Sequence, residues 1–115
     1  MESSLEITFR GMPNSPSAEA AIRRWVARLE HVYHRIQRCS VVIEQPHRNQ
    51  RQGNQFHIRV DIAVPDHVIE VSRDAGHDPK HEDIYIAIAD AFRAARRQLQ
   101  DYSQIQRREV KLHAS

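Results

Sequence analysis

Apolar and polar residues alternate along four segments of the chain, and this period of two predicts four β-strands, each with one buried face. In the first segment, Leu5, Ile7 and Phe9 alternate with polar residues. The other three segments repeat the pattern. Their apolar residues are Cys39, Val41 and Ile43 in the second, Phe56, Ile58, Val60, Ile62 and Val64 in the third, and Ile69 and Val71 in the fourth.

Two further segments repeat apolar residues every three or four positions, which is the spacing of an amphipathic helix. Each follows a polar residue and a proline, Ser15-Pro16 and Asp78-Pro79, which suit an N-cap and the first helical position. The pattern predicts a first helix that extends to Ile36 and a second that extends to Tyr102. The polar segment from Gln106 to Ser115 is expected to fray.

The order β-α-β-β-β-α predicts an α+β fold in a single domain, residues 1–105, followed by a polar C-terminal tail, residues 106–115. A helix between the first two strands allows a parallel pair through a right-handed crossover. The later connections favour antiparallel neighbours, and Pro65-Asp66 is expected to turn the chain between the last two strands. Because each helix has one apolar stripe, we expect a four-stranded mixed sheet with both helices packed on one face.

Composition narrows the possible functions. Hydrophobic residues make up 40% of the 115 positions, and no apolar run approaches the ~20 residues that span a bilayer. The first residues lack the basic and apolar segments of a signal peptide, so none is expected, and we expect no membrane partner. Cys39 is the single cysteine and faces inward, which favours a buried, inert thiol. We therefore expect a reduced, cytoplasmic protein.

All but Lys80 and Lys111 of the 17 basic residues are arginines, whose planar guanidinium suits phosphates and stacks on bases. A genome of high GC content favours arginine codons and would give the same bias, so the positions of the arginines along the chain are more informative. Basic residues spaced by three and four positions form one stripe along the first predicted helix. A second group of basic residues occupies the C-terminal half of the second helix. The stripes comprise Arg24, Arg28, His31 and Arg35, flanked by Arg23 and Arg38, and then Arg93, Arg96, Arg97, Arg107 and Arg108.

If the two helices lie side by side, these stripes form one basic surface that can bind nucleic-acid phosphates without regard to sequence. Arg48 and Arg51, in the polar loop 45–54, are further candidates for contacts with RNA. The alternative interpretation is two solvated helix surfaces. Acidic residues near the start of the second helix and basic residues at its end also complement the helix dipole.

Two motifs on the second helix resemble the family of ribosome hibernation-promoting factors, also called ribosome-associated inhibitors or sigma-54 modulation proteins. They are Lys80–Ile88 (KHEDIYIAI) and Arg97–Leu99 (RQL). Weaker similarity extends over Ala21–Ala27 and Val60–Glu70, so the resemblance covers nearly the whole chain. The chain departs from the family in having Asp66 where a glycine is usual, and from its length we expect no counterpart of the second domain of long members.

The resemblance implies the fold inferred above, which is related in shape to double-stranded-RNA-binding domains. It also implies a non-catalytic translation inhibitor that binds the small subunit of the 70S ribosome, on its 16S RNA, where messenger and transfer RNA would lie. No cofactor and no small-molecule substrate are implied. The residues that would face RNA are Arg23, Arg24, Arg28 and Arg35 near the first helix and Lys80, Arg93, Arg96, Arg97, Arg107 and Arg108 near the second.

Two other functions fit the same sequence: a general double-stranded-RNA-binding module and a protein-protein regulator. A metal-dependent hydrolase is disfavoured. His77 and His81 are four residues apart, but Pro79 lies between them and no His-Glu-x-x-His motif is present. The sequence has no nucleophile elbow and no phosphate-binding glycine loop, so no catalytic residues and no metal ligands are expected.

Overall fold

A computed structural model of the protein describes residues 4–45, 56–75 and 84–114, with the backbone alone at 75 and 109–114. The strands and helices follow the predicted order β-α-β-β-β-α, which confirms the α+β fold. Their bounds are β1 Ser4–Arg10, α1 Pro16–Val32, β2 Arg38–Glu44, β3 Phe56–Val64, β4 His67–Ala75 and α2 Ile84–Ala114.

The four strands form one mixed sheet in the order β1-β2-β3-β4. β1 pairs in parallel with β2, and the other neighbours are antiparallel. Ile62 lies opposite Ile69 across the final hairpin, so the predicted two-residue turn and its register are confirmed. Asp66 has a φ of 62° directly after Pro65, the pattern of a type II turn, in which glycine is the favoured residue at this position.

Both helices cover the same face of the sheet. The inward side chains of β2, β3 and β4 are buried, and together with apolar residues of α1 and α2 they form one core. Phe92 of α2 is fully buried at its centre. Truncating such a phenylalanine to alanine costs about 3–5 kcal/mol of stability, so this contact between the layers is a major part of the fold.

Helix α1 begins as predicted, because the Ser15 side chain accepts a hydrogen bond from the Ala18 amide at 3.2 Å and Pro16 is the first helical residue. Its predicted end at Ile36 is wrong. The helix ends at Val32, because Tyr33 adopts an extended conformation that turns the chain towards β2. Tyr33 and Ile36 are nevertheless buried, so their apolar character reflects the core and not a continued helix.

Helix α2 continues to Ala114, so the prediction that the chain frays from Gln106 is wrong. That prediction followed the end of the apolar stripe. Segment 106–114 contains no glycine or proline, and its arginines and other good helix formers favour continuation of the helix. The predicted start of this helix at Asp78-Pro79 lies outside the described residues.

Candidate nucleic-acid interface

The two helices run side by side in the same direction. Contacts between them recur in order along the chain: Ser17 with Tyr85 near their starts, Trp25 with Phe92 further along, and Tyr33 with Gln106 where α1 has ended. Since both helices pack on the sheet through their apolar stripes, their outward sides form one continuous surface. We call the outward surface of α1, α2 and the turn after α1 the helix face.

The predicted arginines of α1 and α2 are all exposed on the helix face. Arg35 is exposed there too, but it lies in the turn after α1 and not in the helix, because α1 ends early. Lys80, Arg48 and Arg51 lie outside the described residues, so their roles stay predictions. The described arginines of the helix face are Arg23, Arg24, Arg28, Arg35, Arg93, Arg96, Arg97, Arg107 and Arg108.

Near the middle of the helices, the two arginine stripes meet at one aromatic side chain. Trp25 stacks on Phe92 with ring centroids 6.0 Å apart and an angle of 16° between the rings. The guanidinium carbon of Arg28 lies 4.8 Å from the Trp25 ring centroid, and that of Arg93 lies 5.9 Å from it. Arginines of both helices are therefore close together, as the sequence-based hypothesis requires.

Further along, hydrogen bonds attach α2 to its neighbours. The Tyr33 hydroxyl donates to Oε1 of Gln106 at 2.8 Å, and Nε2 of Gln106 donates to the Tyr102 hydroxyl at 3.2 Å. The Tyr102 hydroxyl in turn donates to the Pro65 carbonyl at 2.6 Å. This chain of contacts fixes the C-terminal part of α2, which carries the last arginines, against the end of α1 and the β3-β4 turn.

The environment of Tyr102 confirms that it belongs to this packing. Burial, with smaller contributions from Tyr33 and Asp66, raises the pKa of Tyr102 to about 12, and the positive charge of Arg35 acts against this rise. Its ring contacts Tyr33 edge-on and stacks on His67. Tyr102 stands at the end of the apolar stripe predicted for α2, and its ring packs against these neighbours within the protein.

Few carboxylates compete for the arginines of the helix face. Arg23 pairs with Glu19 at 3.6 Å and Arg93 with Asp90 at 3.7 Å, both within one helix and both exposed. Such pairs contribute little and are easily replaced by a phosphate. Among the described residues, no ion pair within 4 Å engages the remaining arginines of the face, Arg24, Arg28, Arg35, Arg96, Arg97, Arg107 and Arg108.

The opposite side of the sheet is charged in a different way. We call the outward positions of the four strands the sheet face. There, Arg59 bonds to Asp61 at 3.1 Å and to Glu70 at 3.0 Å, and these contacts raise its pKa above the ordinary value, chiefly through the Asp61 hydrogen bond. His57 bonds to Asp74 on the neighbouring strand. Arg10 and Arg38 also lie on this face and make no ion pair within 4 Å among the described residues, but the five carboxylates at its outward positions outnumber its three arginines.

Cys39 does not contribute chemistry at either surface. It is 1% exposed in β2, and burial raises the pKa of its thiol to about 12, with smaller contributions from Asp61 and Glu30. The predicted buried thiol is confirmed. His77 and His81 lie outside the described residues, so the expectation that they bind no metal stays a prediction.

Sequence analysis missed the role of Trp25 on the helix face. Its position on the apolar stripe predicts a core residue, and its ring does pack on Phe92, but it is only partly buried and its remaining surface meets two arginines. One signal was present, because Arg28 is three residues after Trp25 and therefore lies on the same side of the helix. The contact of Arg93 with Trp25 could not be predicted in this way, because it depends on how α2 packs beside α1.

Residues 5–107 match the family model described as "Sigma 54 modulation protein / S30EA ribosomal protein". No curated protein matches the sequence. None of the helices in the described parts of the chain is long and apolar enough to cross a membrane.

Two solved structures share the fold. One is a ribosomal subunit interface protein from Coxiella burnetii, with a TM-score of 0.70 and 13% identity over 88% of this chain and 98% of that one. The other is the N-terminal domain of Protein Y from Thermus thermophilus, with a TM-score of 0.69 and 16% identity over 88% of this chain and 99% of that one. The family match covers most of the sequence, and the chain therefore belongs to the sigma-54 modulation protein / S30EA ribosomal protein family.

Proposed function

We propose that this protein is a non-catalytic inhibitor of translation that binds the small ribosomal subunit in the cytoplasm. The helix face binds ribosomal RNA, and the body of the protein blocks access of messenger and transfer RNA. The observation that supports this most directly is the juxtaposition of arginines from two helices on one surface, most of them without a carboxylate partner in the described structure.

The form of the helix face suits a folded RNA. At 1.5 Å per residue, the 31 residues of α2 extend for about 46 Å, so arginines along it can contact several phosphates of a polynucleotide. Each phosphate that an arginine neutralises releases condensed counterions, which provides affinity without base recognition. A small molecule would use only a fraction of this surface, whereas ribosomal RNA can contact all of it.

Family membership favours the ribosome over other RNAs. One structural neighbour is a ribosomal subunit interface protein, and the family description itself names a ribosomal protein. The described structure measures 61 × 26 × 19 Å. A body of this size, held between the subunits, would occupy space that messenger and transfer RNA need, so inhibition requires no reaction and no cofactor.

The proposal is tested by sedimentation with purified small subunits and whole ribosomes on sucrose gradients. Charge reversal by Arg96→Glu and Arg97→Glu should weaken binding by about 100-fold or more, because two charge-assisted contacts are lost and two repulsive ones appear. The matched control is Arg10→Glu with Arg38→Glu, which makes the same change of charge on the sheet face. Equal binding by the two double variants would contradict docking through the helix face.

Competition separates the ribosome from the two alternative partners. A general double-stranded-RNA-binding module would be displaced from small subunits by a modest excess of free duplex RNA, whereas a ribosome-specific protein should resist it. A protein-protein regulator would keep its partner after nuclease treatment and at moderate salt. We expect nuclease to abolish the association and duplex RNA to compete poorly. In a cell-free system, translation should then fall in proportion to the fraction of ribosomes bound.

A further inference from the structure

The most distinctive part of the helix face is the point where Trp25 contacts Arg28 from its own helix and Arg93 from the other. Both guanidinium carbons lie within the distance at which a cation is attracted to the face of an indole ring. The ring itself is held in place by its stacking on the fully buried Phe92. Trp25 is therefore a fixed aromatic support beneath two positive charges.

A guanidinium held by an aromatic ring differs from one held by a carboxylate. The ring attracts the positive charge through its face, while the N–H donors lie in the guanidinium plane and stay available for another acceptor. Ordering the two side chains before binding also lowers the entropy lost when a ligand immobilises them. Arg28 has no ion pair among the described residues, and Arg93 has only the exposed contact with Asp90 at 3.7 Å.

We propose that Trp25, Arg28 and Arg93 form a preorganised anchor for backbone phosphate of RNA, with Trp25 as its positioning residue. The inference rests on the proposed function, because it assigns the ligand of one part of the helix face. Arginine forks bind phosphate oxygens through paired N–H donors, and two forks from different helices can contact the same phosphate or its neighbour. The anchor exists only when the two helices pack, so RNA binding there requires the folded domain.

A double-mutant cycle tests whether Trp25 acts through these arginines. With the full chain and purified small subunits, Trp25→Leu should raise the dissociation constant about 5- to 20-fold, the equivalent of two cation-π contacts. In a chain that already carries Arg28→Gln and Arg93→Gln, the same change should raise it less than about 2-fold. An equal factor in both backgrounds would show that Trp25 contributes only to the core and would overturn the anchor.

Two further measurements keep the test informative if Trp25→Leu folds poorly. Trp25→Phe retains the stacking on Phe92 with a weaker π-face and should give an intermediate loss of affinity. Trp25 is also the single tryptophan of the sequence, so its fluorescence reports on this site alone. Polyuridylate at low salt should change the indole emission of the unmodified protein, and Arg28→Gln with Arg93→Gln should suppress that change. Polyuridylate bound with unaltered emission, or no binding at all, would contradict a phosphate anchor.

The outcomes distinguish this inference from the proposed function. If the unmodified protein does not sediment with ribosomes, the proposed function fails. If it does, and Trp25→Leu binds equally well while Arg96→Glu with Arg97→Glu does not, the helix face is correct and the anchor is wrong. Thermal unfolding of each variant, measured in parallel, identifies any loss of affinity that follows from a loss of folded protein.

Discussion

The helix face and the sheet face both carry arginines, but only on the helix face do the arginines outnumber the carboxylates. On the sheet face, Asp61 and Glu70 lie directly opposite each other on β3 and β4, and Arg59 contacts both. Two carboxylates in that position repel each other, so Arg59 serves the pairing of the strands. On the helix face, most arginines meet no carboxylate in the described structure. Because arginines outnumber carboxylates among the described residues of the helix face, their charge is available to a polyanion.

The salt dependence of binding to small subunits should show the difference between the two faces most strongly. A ligand that contacts most of the unpaired arginines releases many counterions, so affinity for small subunits should fall by about a thousandfold or more between ~50 and ~200 mM salt. Replacing Arg96 by Gln should reduce the slope of log affinity against log salt by about one, while Arg38→Gln on the sheet face should leave it unchanged. Dissociation constants measured across a salt series give both slopes. A shallow slope in the unmodified protein would remove the physical basis of the comparison.

The fold was largely predictable because its signals are local. Alternation gave the inward residues of every strand, and Ser15-Pro16 located the start of α1. Two boundaries were not predictable in the same way. Tyr33 and Ile36 keep helical spacing after α1 ends because their burial depends on tertiary contacts, and the end of α2 is helical without any apolar stripe.

The sequence predicted which arginines belong to the interface, but not how they are arranged in space. Spacing along each helix showed which arginines share a stripe, whereas the meeting of Arg28 and Arg93 on Trp25 depends on how the two helices pair. The pairing of Arg59 with carboxylates from its own and a neighbouring strand likewise requires the register. The glycine that is usual after Pro65 in the resembled family is explained by the positive φ of Asp66, which the sequence did not reveal.

The free energy of unfolding should fall at alkaline pH, because the core between the two faces contains the buried thiol of Cys39. Cys39 has a pKa near 9 when unfolded and about 12 when folded, so the unfolded state loses its proton first. Stability is therefore complete below pH 9 and declines as the pH rises towards 12. At a pH of about 10.5 the thiol alone should cost on the order of 2 kcal/mol of the free energy of unfolding.

Denaturant titrations at pH 8 and at higher pH check this expectation. Cys39→Val keeps the side chain apolar and of similar size, so it should remove this part of the pH dependence and leave the rest unchanged. The difference between the two proteins isolates the thiol. Identical pH profiles for both would mean that Cys39 is accessible to solvent, which contradicts its place in the core.

The smallest predicted effects separate the two faces most cleanly, because each concerns one exposed arginine. Arg59→Met removes the charge that lies between Asp61 and Glu70 and should lower the thermal midpoint by about 1 to 3 °C, without changing affinity for small subunits. Arg97→Met should leave the midpoint nearly unchanged and weaken binding about 5- to 10-fold, because it loses a charge-assisted contact with RNA. Differential scanning calorimetry and sedimentation binding on both variants give the four values. If Arg59→Met weakened binding as much as Arg97→Met, Arg59 would contact RNA in addition to Asp61 and Glu70. RNA would then have to bind both faces of the molecule.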